Sequence, residues 1–476
     1  MVGSMYSLDP LEGRGPVIAV VGGGASGTLA VIHLLRSAAA SQCPLRVVLI
    51  DRHGRHGLGQ AYSTAHPAHL LNTAAGQMSA LAGDPGHLMR WADAAGITHD
   101  GFLARHAYGR YLRETLSDAE RSAQPTARVS HLTSHVVAVR RNAQGPALRL
   151  RLADGCIDAD AAVLAIGNLP AAPPCPVPQS PRYIADPWAP GALDGAGDGS
   201  PVIVLGTGLT MLDVAIAVTD GNRATRVHAV SRHGLLPRVH RGQPAAGRTG
   251  WLPATTAGAA GPVGLTDLMW QVRAAVADRP DSWPDVIDGL RPHVPGLWQR
   301  LPIRDKRLFL RHVARYWEVH RHRMPPATAR RITELRCTGR LSVLQGRITA
   351  VAGDRAGLRV RIDRAGTSAE LTAGWLVNGT GPASDIAATA DPLLQDLLSS
   401  GLARPDPLRL GIDADSSGAV LDAAGRSSST IFTLGPPLRG HWYETTAIPE
   451  IRDQAAALAR HLIAGRQARH RPGSAA

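Results

Sequence analysis

Short apolar runs recur along the chain, and each stops at glycine. Val17 to Val21 is aliphatic and free of charge, the pattern of a strand covered on both faces. Gly22, Gly24, Ala25, Ser26 and Gly27 lie in the turn that follows, and Thr28 to Ala40 then repeats apolar residues at helical spacing. Leu45 to Ile50 predicts the next strand, which ends at Asp51. The same order returns later. Pro201 to Leu205 predicts a strand, Gly206, Gly208, Thr210 and Met211 fall in its turn, Leu212 to Val218 is helical, and Arg226 to Val230 is a strand running into Ser231 and Arg232. Two more strands end at glycine: Ala161 to Ile166 before Gly167, and Gly374 to Asn378 before Gly379 and Gly381. Ser429 to Leu434 leads to Gly435, and a last helix is expected over Pro449 to Ala464. No strand pattern occurs between residues 240 and 335. Gly and Pro fill 241–263, and helical patterns carrying Trp270, Trp283, Trp298 and Trp317 follow.

The first repeat is a βαβ unit with G-x-G-x-x-G at its turn and an acid at the end of its second strand. Gly22 permits the tight turn. Gly24 lets backbone N–H groups approach a pyrophosphate, and Gly27 lets helix and strand pack closely. The helix N-terminus faces the phosphates, and Asp51 can accept from ribose hydroxyls. The alternative is an ordinary α/β turn whose glycines serve packing alone. In the second unit Met211 holds the third glycine position, and the strand ends in Ser231 and Arg232. A carboxylate there would repel a 2′-phosphate, whereas Arg232 would pair with it, which selects NADPH over NADH. The alternative is a surface arginine that merely follows a strand.

These units predict an α/β chain of the two-dinucleotide-binding-domain flavoprotein type. Residues 15–198 and 372–476 would form a Rossmann-like FAD domain. Residues 199–371 would form an NADPH domain with a helical insertion over 240–335. A length of 476 residues suits two domains. The formal charge of +13 is spread along the chain, without zinc-finger or RNA-binding motifs. It suits phosphate-bearing cofactors and an acidic substrate, although arginine-rich codon usage accounts for it equally well. Nucleic acid and membrane partners are not expected. Cys43, Cys156, Cys175 and Cys337 form no C-x-x-C and no metal spacing, which removes disulfide-reductase chemistry and a metal site. The first residues carry no signal-peptide pattern, and Val17 to Val21 is too short to span a bilayer, so a cytoplasmic protein is expected.

Four segments resemble a known family: Val20 to Gly27; Gly59 to Tyr62 with His69 to Asn72 and Met78 to Ala80; Trp317 to Arg323; and Gly435 to Gly440 running on through Trp442 to Arg452. The chain is similar to the YdhS-like FAD/NAD(P)-binding proteins, relatives of the flavin-containing and N-hydroxylating monooxygenases. The resemblance implies that Gln60, Asn72 and Met78 run beside the flavin ring. It also implies that Glu450 and Ile451 open the helix that faces it, and that Gly435, after the preceding strand, binds the cofactor. Some actinomycete members of the group oxidise L-aspartate to nitrosuccinate in secondary metabolism, including antibiotic biosynthesis. The expected activity is then an FAD-dependent, NADPH-consuming monooxygenase that uses O₂ on a small amine or amino acid. Arg311, Arg315, Arg321 and Arg323 are the candidate ligands for an anionic substrate. No residue is assigned as catalytic, because the cofactor carries the chemistry. Two other readings stay open: a flavin oxidase or reductase that releases H₂O₂, and a non-enzymatic redox sensor that holds FAD as structure.

Overall fold

The computed structural model describes residues 15–142, 145–241, 261–278, 283–353, 357–364 and 366–470. The chain opens with β1 (Val17–Val21), α1 (Ala25–Ala40) and β2 (Leu45–Asp51). Helices α2 (His87–Ala94) and α3 (Arg105–Ala123) lead to β3 (Ala127–Thr133). A meander of β4 (Val136–Arg141), β5 (Leu148–Leu152) and β6 (Cys156–Ala159) precedes β7 (Ala161–Leu164). Next come β8 (Tyr183–Ile184), β9 (Val202–Leu205), α4 (Leu209–Asp220) and β10 (Val227–Ser231). The insertion contains α5 (Leu265–Asp278), α6 (Trp283–Leu290), α7 (Val294–Arg300), α8 (Ile303–Leu308) and α9 (Ala314–Arg321). Helix α10 (Pro326–Cys337) returns the chain to β11 (Leu341–Gln345). A second meander, β12 (Arg347–Gly353), β13 (Leu358–Arg364) and β14 (Thr367–Ala373), precedes β15 (Trp375–Asn378). The chain closes with α11 (Pro392–Ser399), β16 (Ala419–Leu421), β17 (Ser427–Thr433), α12 (Arg439–Trp442) and α13 (Ile448–His470).

Two sheets organise these elements, and both are layered alike. The first has the order β16-β17-β7-β1-β2-β3, parallel except for the edge strand β16. Its order places β1 centrally, with β7 and β2 on either side. One face packs on α1, α3 and α13, and the other is covered by the first meander and α11. The second sheet, β11-β10-β9-β15-β8, is parallel throughout. Helices α4 and α10 cover one face, and the second meander covers the other. Each unit is thus helix, parallel sheet and meander.

The two-domain α/β architecture expected from the glycine-terminated strands is the one observed. Strand β15 lies in the second sheet beside β9, although the expected boundary at 371 put it with the first unit. Strand β8, which lies before the expected boundary at 198, pairs with β15 in the same sheet. The meanders were not foreseen. Their signal is a plain alternation: Leu148, Leu150 and Leu152 are buried between exposed Arg149 and Arg151, and Leu358, Val360 and Ile362 repeat the pattern.

The units touch through a buried ion pair. Arg105 Nη2 lies 2.8 Å from Asp213 Oδ2, joining α3 to α4, with Trp188 beneath the guanidinium at 5.1 Å. Burial pushes the Asp213 carboxyl up to about 6, against the pull of Arg105. Three histidines then fasten the segment 69–80. His33 Nε2 donates to Ala80 O at 3.1 Å, His240 Nε2 to Asn72 O at 2.9 Å, and His69 Nε2 to Asp213 O at 3.1 Å. Burial lowers all three to about 4, so each is a neutral ring with a defined tautomer at neutral pH.

Two outcomes follow from this architecture. A Cβ on Gly27 would lie 1.8 Å from Gly22 O, so Gly27→Ala must part α1 from the glycine turn. Overpacking of this kind costs about 1–3 kcal/mol or more, and thermal unfolding should show it as a lower Tm. The buried histidines fix an acid limb. Their folded values lie below the ordinary 6.5, so their stabilisation is complete above about 6.5 and is lost as pH falls toward about 4. A shift from 6.5 to about 4 makes that loss on the order of 3 kcal/mol for His33 or His69. Denaturant unfolding at pH 7.5 and 5 should show a smaller difference for His33→Gln than for the parent. An equal difference would remove His33 from this account.

Candidate functional site

The first cradle sits at the C-terminal end of β1. Gly22 has φ +109°, and a Cβ there would lie 2.3 Å from Ala165 O on the strand end beside it. Gly24 is the N-cap of α1, and no side chain caps that helix, so its first N–H groups stay available to an anion. Asp51 reaches into the turn. Its Oδ2 accepts from Gly23 N at 3.0 Å, and its Oδ1 accepts from His53 N at 2.9 Å and Arg55 N at 3.0 Å. Burial works against its charge, but these N–H groups prevail and hold the carboxyl below its usual range. From the far end of the chain, Gly435 (φ +74°) comes against Ser26, with Ile451 beside it in the first turn of α13. Gly435 N donates to Gln454 Oε1 at 2.8 Å. The structure therefore joins Gly22, Gly24, Ala25, Ser26, Gly27, Asp51, Gly435 and Ile451 around one helix terminus. A glycine turn approached by the Gly57–Gly59 backbone, an uncapped helix and an acid at the end of the next strand fit the adenosine and pyrophosphate of FAD.

Gln60, Asn72 and Met78 lie along the strip outside this cradle. Gln60 Nε2 donates to Asp186 Oδ1 at 3.0 Å, which ties the strip to the chain that enters the second unit. Met78 is buried, and its carbonyl accepts from the Tyr108 hydroxyl at 2.9 Å. Asn72 is held through its carbonyl by His240.

The second cradle repeats the first with different charge. Gly206 has φ +110°, and its Cβ would lie 2.3 Å from Gly379 O, as Gly22 stands to Ala165. Gly208 is the N-cap of an uncapped α4 and has open space at its Cβ position. Met211 is fully buried in the core and leaves the turn intact. Where the first unit has Asp51, the second has Ser231. Its hydroxyl accepts from Gly234 N at 3.0 Å and bonds Thr207 Oγ1 at 2.9 Å. A neutral hydroxyl thus orders the turn here.

A cleft of about 900 Å³ runs from this cradle toward the first. Its lining includes Ser231, Arg232 and Arg347, the turn residues Gly206, Gly208 and Thr210, and Gly167, Pro436, Arg439, Tyr443 and Glu444. Tyr443 has φ +60° and ψ −60°, and Glu444 N donates back to Trp442 O at 2.8 Å. This positive-φ γ-turn is a strained conformation for a bulky residue. The ring is held by stacking on Trp298 at 4.6 Å, by Phe309 at 5.2 Å and by Arg439 at 5.2 Å. The turn sends the next side chain the other way. Glu444 Oε1 accepts from Trp317 Nε1 at 2.9 Å, and its Oε2 lies 3.3 Å from Arg321 Nε. Burial opposes the Glu444 charge, but Arg321 and His322 outweigh it and keep the carboxyl low. Behind it, Arg291 grips Glu450 with two bonds of 2.7 and 2.9 Å and reaches Gln77 Oε1 at 3.1 Å.

The four arginines expected to face a substrate part company here. Arg315 lines the cleft and pairs with Glu318 at 2.7 Å. Arg321 is buried between Glu444 and Glu450, and its Nε and Nη2 have no hydrogen-bond acceptor. Arg323 is buried against Asp288, with Trp283 at 5.7 Å. Arg311 is exposed and outside the cleft. Arg439, which reaches Glu318 at 3.2 Å, and Tyr443 went unread in the sequence. Their one visible signal is the dense polar and aromatic run after Gly435. The four cysteines are free, and none lines the cleft. Among the described residues no group of three His, Cys, Asp or Glu side chains could hold a metal ion, and no helix is long and apolar enough to cross a membrane.

A family model described as FAD-NAD(P)-binding matches residues 19–169, the stretch that holds the first cradle. No curated protein matches the chain. Solved structures are similar over its whole length. The ornithine N-hydroxylase of Kutzneria sp. 744, solved with reduced FAD, NADP⁺ and L-ornithine, is 16% identical with a TM-score of 0.62, covering 95% of this chain and 100% of that one. The cadaverine monooxygenase of Erwinia amylovora, bound to FAD, is 13% identical with a TM-score of 0.63, covering 95% of each chain. The bacillithiol disulfide reductase of Staphylococcus aureus is 11% identical with a TM-score of 0.53, covering 95% and 100%. What these likenesses establish is the fold: two dinucleotide-binding domains in one chain.

Proposed function

We propose that the protein is an FAD-dependent, NADPH-consuming monooxygenase that N-oxygenates a small amine or amino acid, with L-aspartate the first substrate to test. The observation that carries this reading is the cleft that holds the second glycine cradle and reaches Gly167 and Pro436, next in the chain to the Ala165–Ile166 and Gly435 positions that border the first; charged residues wall it and no cysteine lines it. Bound FAD would supply the acceptance of hydride and the activation of O₂. The chain's own part is to hold two nucleotides and a substrate around one space and to keep water out of it. Gly24, Ser26, Asp51 and Gly435 hold the first nucleotide. Gly206, Gly208, Thr210 and Arg232 hold the second. Arg315 and Arg439 stand at the cleft wall for a substrate carboxylate, while Arg321 positions Glu444 from behind. The N-hydroxylases and amine monooxygenases among the similar structures support amine oxygenation, and the resemblance described above supports aspartate.

Two measurements test this. Arg232→Ala removes one charge-assisted contact worth roughly 1.5–3 kcal/mol. It should raise KM for NADPH about tenfold to a hundredfold and leave NADH nearly unchanged; equal effects would remove Arg232 from the phosphate. With the FAD-loaded protein, aspartate should accelerate NADPH oxidation and reduce the share of electrons lost as H₂O₂, and ¹⁸O from ¹⁸O₂ should reach the product nitrogen. Stoichiometric H₂O₂ with every amine tried would replace oxygenation by an oxidase activity. ¹⁸O on carbon or sulfur of another substrate would keep oxygenation and discard the amine.

A further inference from the structure

The second sheet brings another cation to the end of β10. In a βαβ unit the residue ending the second strand meets the adenosine ribose, and here that strand end is Ser231 followed by Arg232. Strand β11 is the parallel neighbour of β10 on the side away from β9, with Ser231 opposite Gln345. Gly346 N donates to Ser231 O at 2.9 Å, so the pairing continues one step past the strand. Arg347 is the next residue. Arg232 and Arg347 therefore leave adjacent strand ends together, and both line the cleft, as does Ser231.

We infer that Arg347 is a second ligand of the 2′-phosphate, forming with Arg232 a two-cation clamp that sets the preference for NADPH. Three observations combine. Both arginines are exposed at the cleft, and no carboxylate among the described residues forms an ion pair with either. Asp363 faces Arg347 across the β12–β13 ladder, yet no ion pair forms between them within 4.0 Å. Most other cleft cations are committed: Arg315 and Arg439 both pair with Glu318. Finally, the turn that carries a carboxylate in the first unit carries a hydroxyl here, so the strand end itself sets no negative charge against a phosphate. Two unpaired guanidinium groups beside a neutral hydroxyl form a fork for a dianionic phosphate. The clamp rests on the NADPH reading above and adds the residue that the linear sequence hides, since 115 positions separate Arg232 from Arg347.

The test is calorimetric titration of the FAD-loaded protein with adenosine 2′,5′-bisphosphate and with AMP, so no turnover is needed. Flavin absorbance and Tm serve as controls for folding. Arg347→Ala should weaken the bisphosphate about tenfold and AMP less than about twofold, with Arg347→Lys recovering part of the loss. The difference should shrink as salt is raised. If Arg347→Ala leaves the bisphosphate unchanged, or weakens both ligands equally, the clamp is overturned. In that event a loss confined to Arg232→Ala would preserve the NADPH reading without Arg347. Equal binding of both ligands by the parent protein would overturn the clamp and the NADPH preference together.

Discussion

A carbonyl oxygen lodged where a side chain would have to be is the contact from which the site follows. Ala165 O fills the space of a Cβ on Gly22, and Gly379 O fills it on Gly206. Each contact forces a positive φ on a glycine at the end of a central strand and turns the chain sharply into a helix. The helix then starts without a side-chain cap, its N–H groups pointing at the sheet edge. The strand that supplies the carbonyl is β7 in one unit and β15 in the other, so each returning connection is part of its cradle. That is why both connections continue into a positive-φ glycine, Gly167 and Gly381, and why both line the cleft.

One backbone device serves two polarities because the residue that orders the turn is free to vary. Asp51 orders the first turn with a carboxylate that accepts three backbone N–H groups. Ser231 and Thr207 order the second with hydroxyls. The geometry is kept and the charge is dropped. A ribose with free hydroxyls suits the first arrangement, and a phosphorylated ribose suits the second.

Much of this was legible because each nucleotide unit is local in sequence. Strand, glycine turn, helix and terminal residue lie within about 35 residues in the first unit, and each has a chemical reason for its place. The insertion was legible only as helix. Four of its arginines read as ligands for an anionic substrate, whereas Arg321 and Arg323 are buried against Glu444 and Asp288. Sequence spacing cannot show a pair formed across 123 positions, and nothing in the periodicity of α9 marks which arginine turns inward. The meanders were missed for a different reason. Parallel buried strands read as unbroken apolar runs, and attention to those runs passes over an alternating Leu-Arg-Leu-Arg-Leu.

The strained turn at Tyr443 shows what the insertion does for the rest of the molecule. A tyrosine at positive φ persists only where its surroundings over-determine it. Here the insertion supplies many of the supports: Trp298 and Phe309 on the ring, Trp317 and Arg321 on Glu444, and Arg291 on Glu450. Arg439 of the same segment and Leu410 add to them. Trp298 Nε1 also donates to Gly440 O at 2.8 Å. The segment between Gly435 and α13 is thus shaped from outside, by helices that intervene between β10 and β11 of the other unit. That segment walls the cleft at the end nearest the first cradle. An insertion in the second nucleotide unit therefore shapes a wall of the cleft, Tyr443 and Glu444 included, that the C-terminal segment of the first unit supplies.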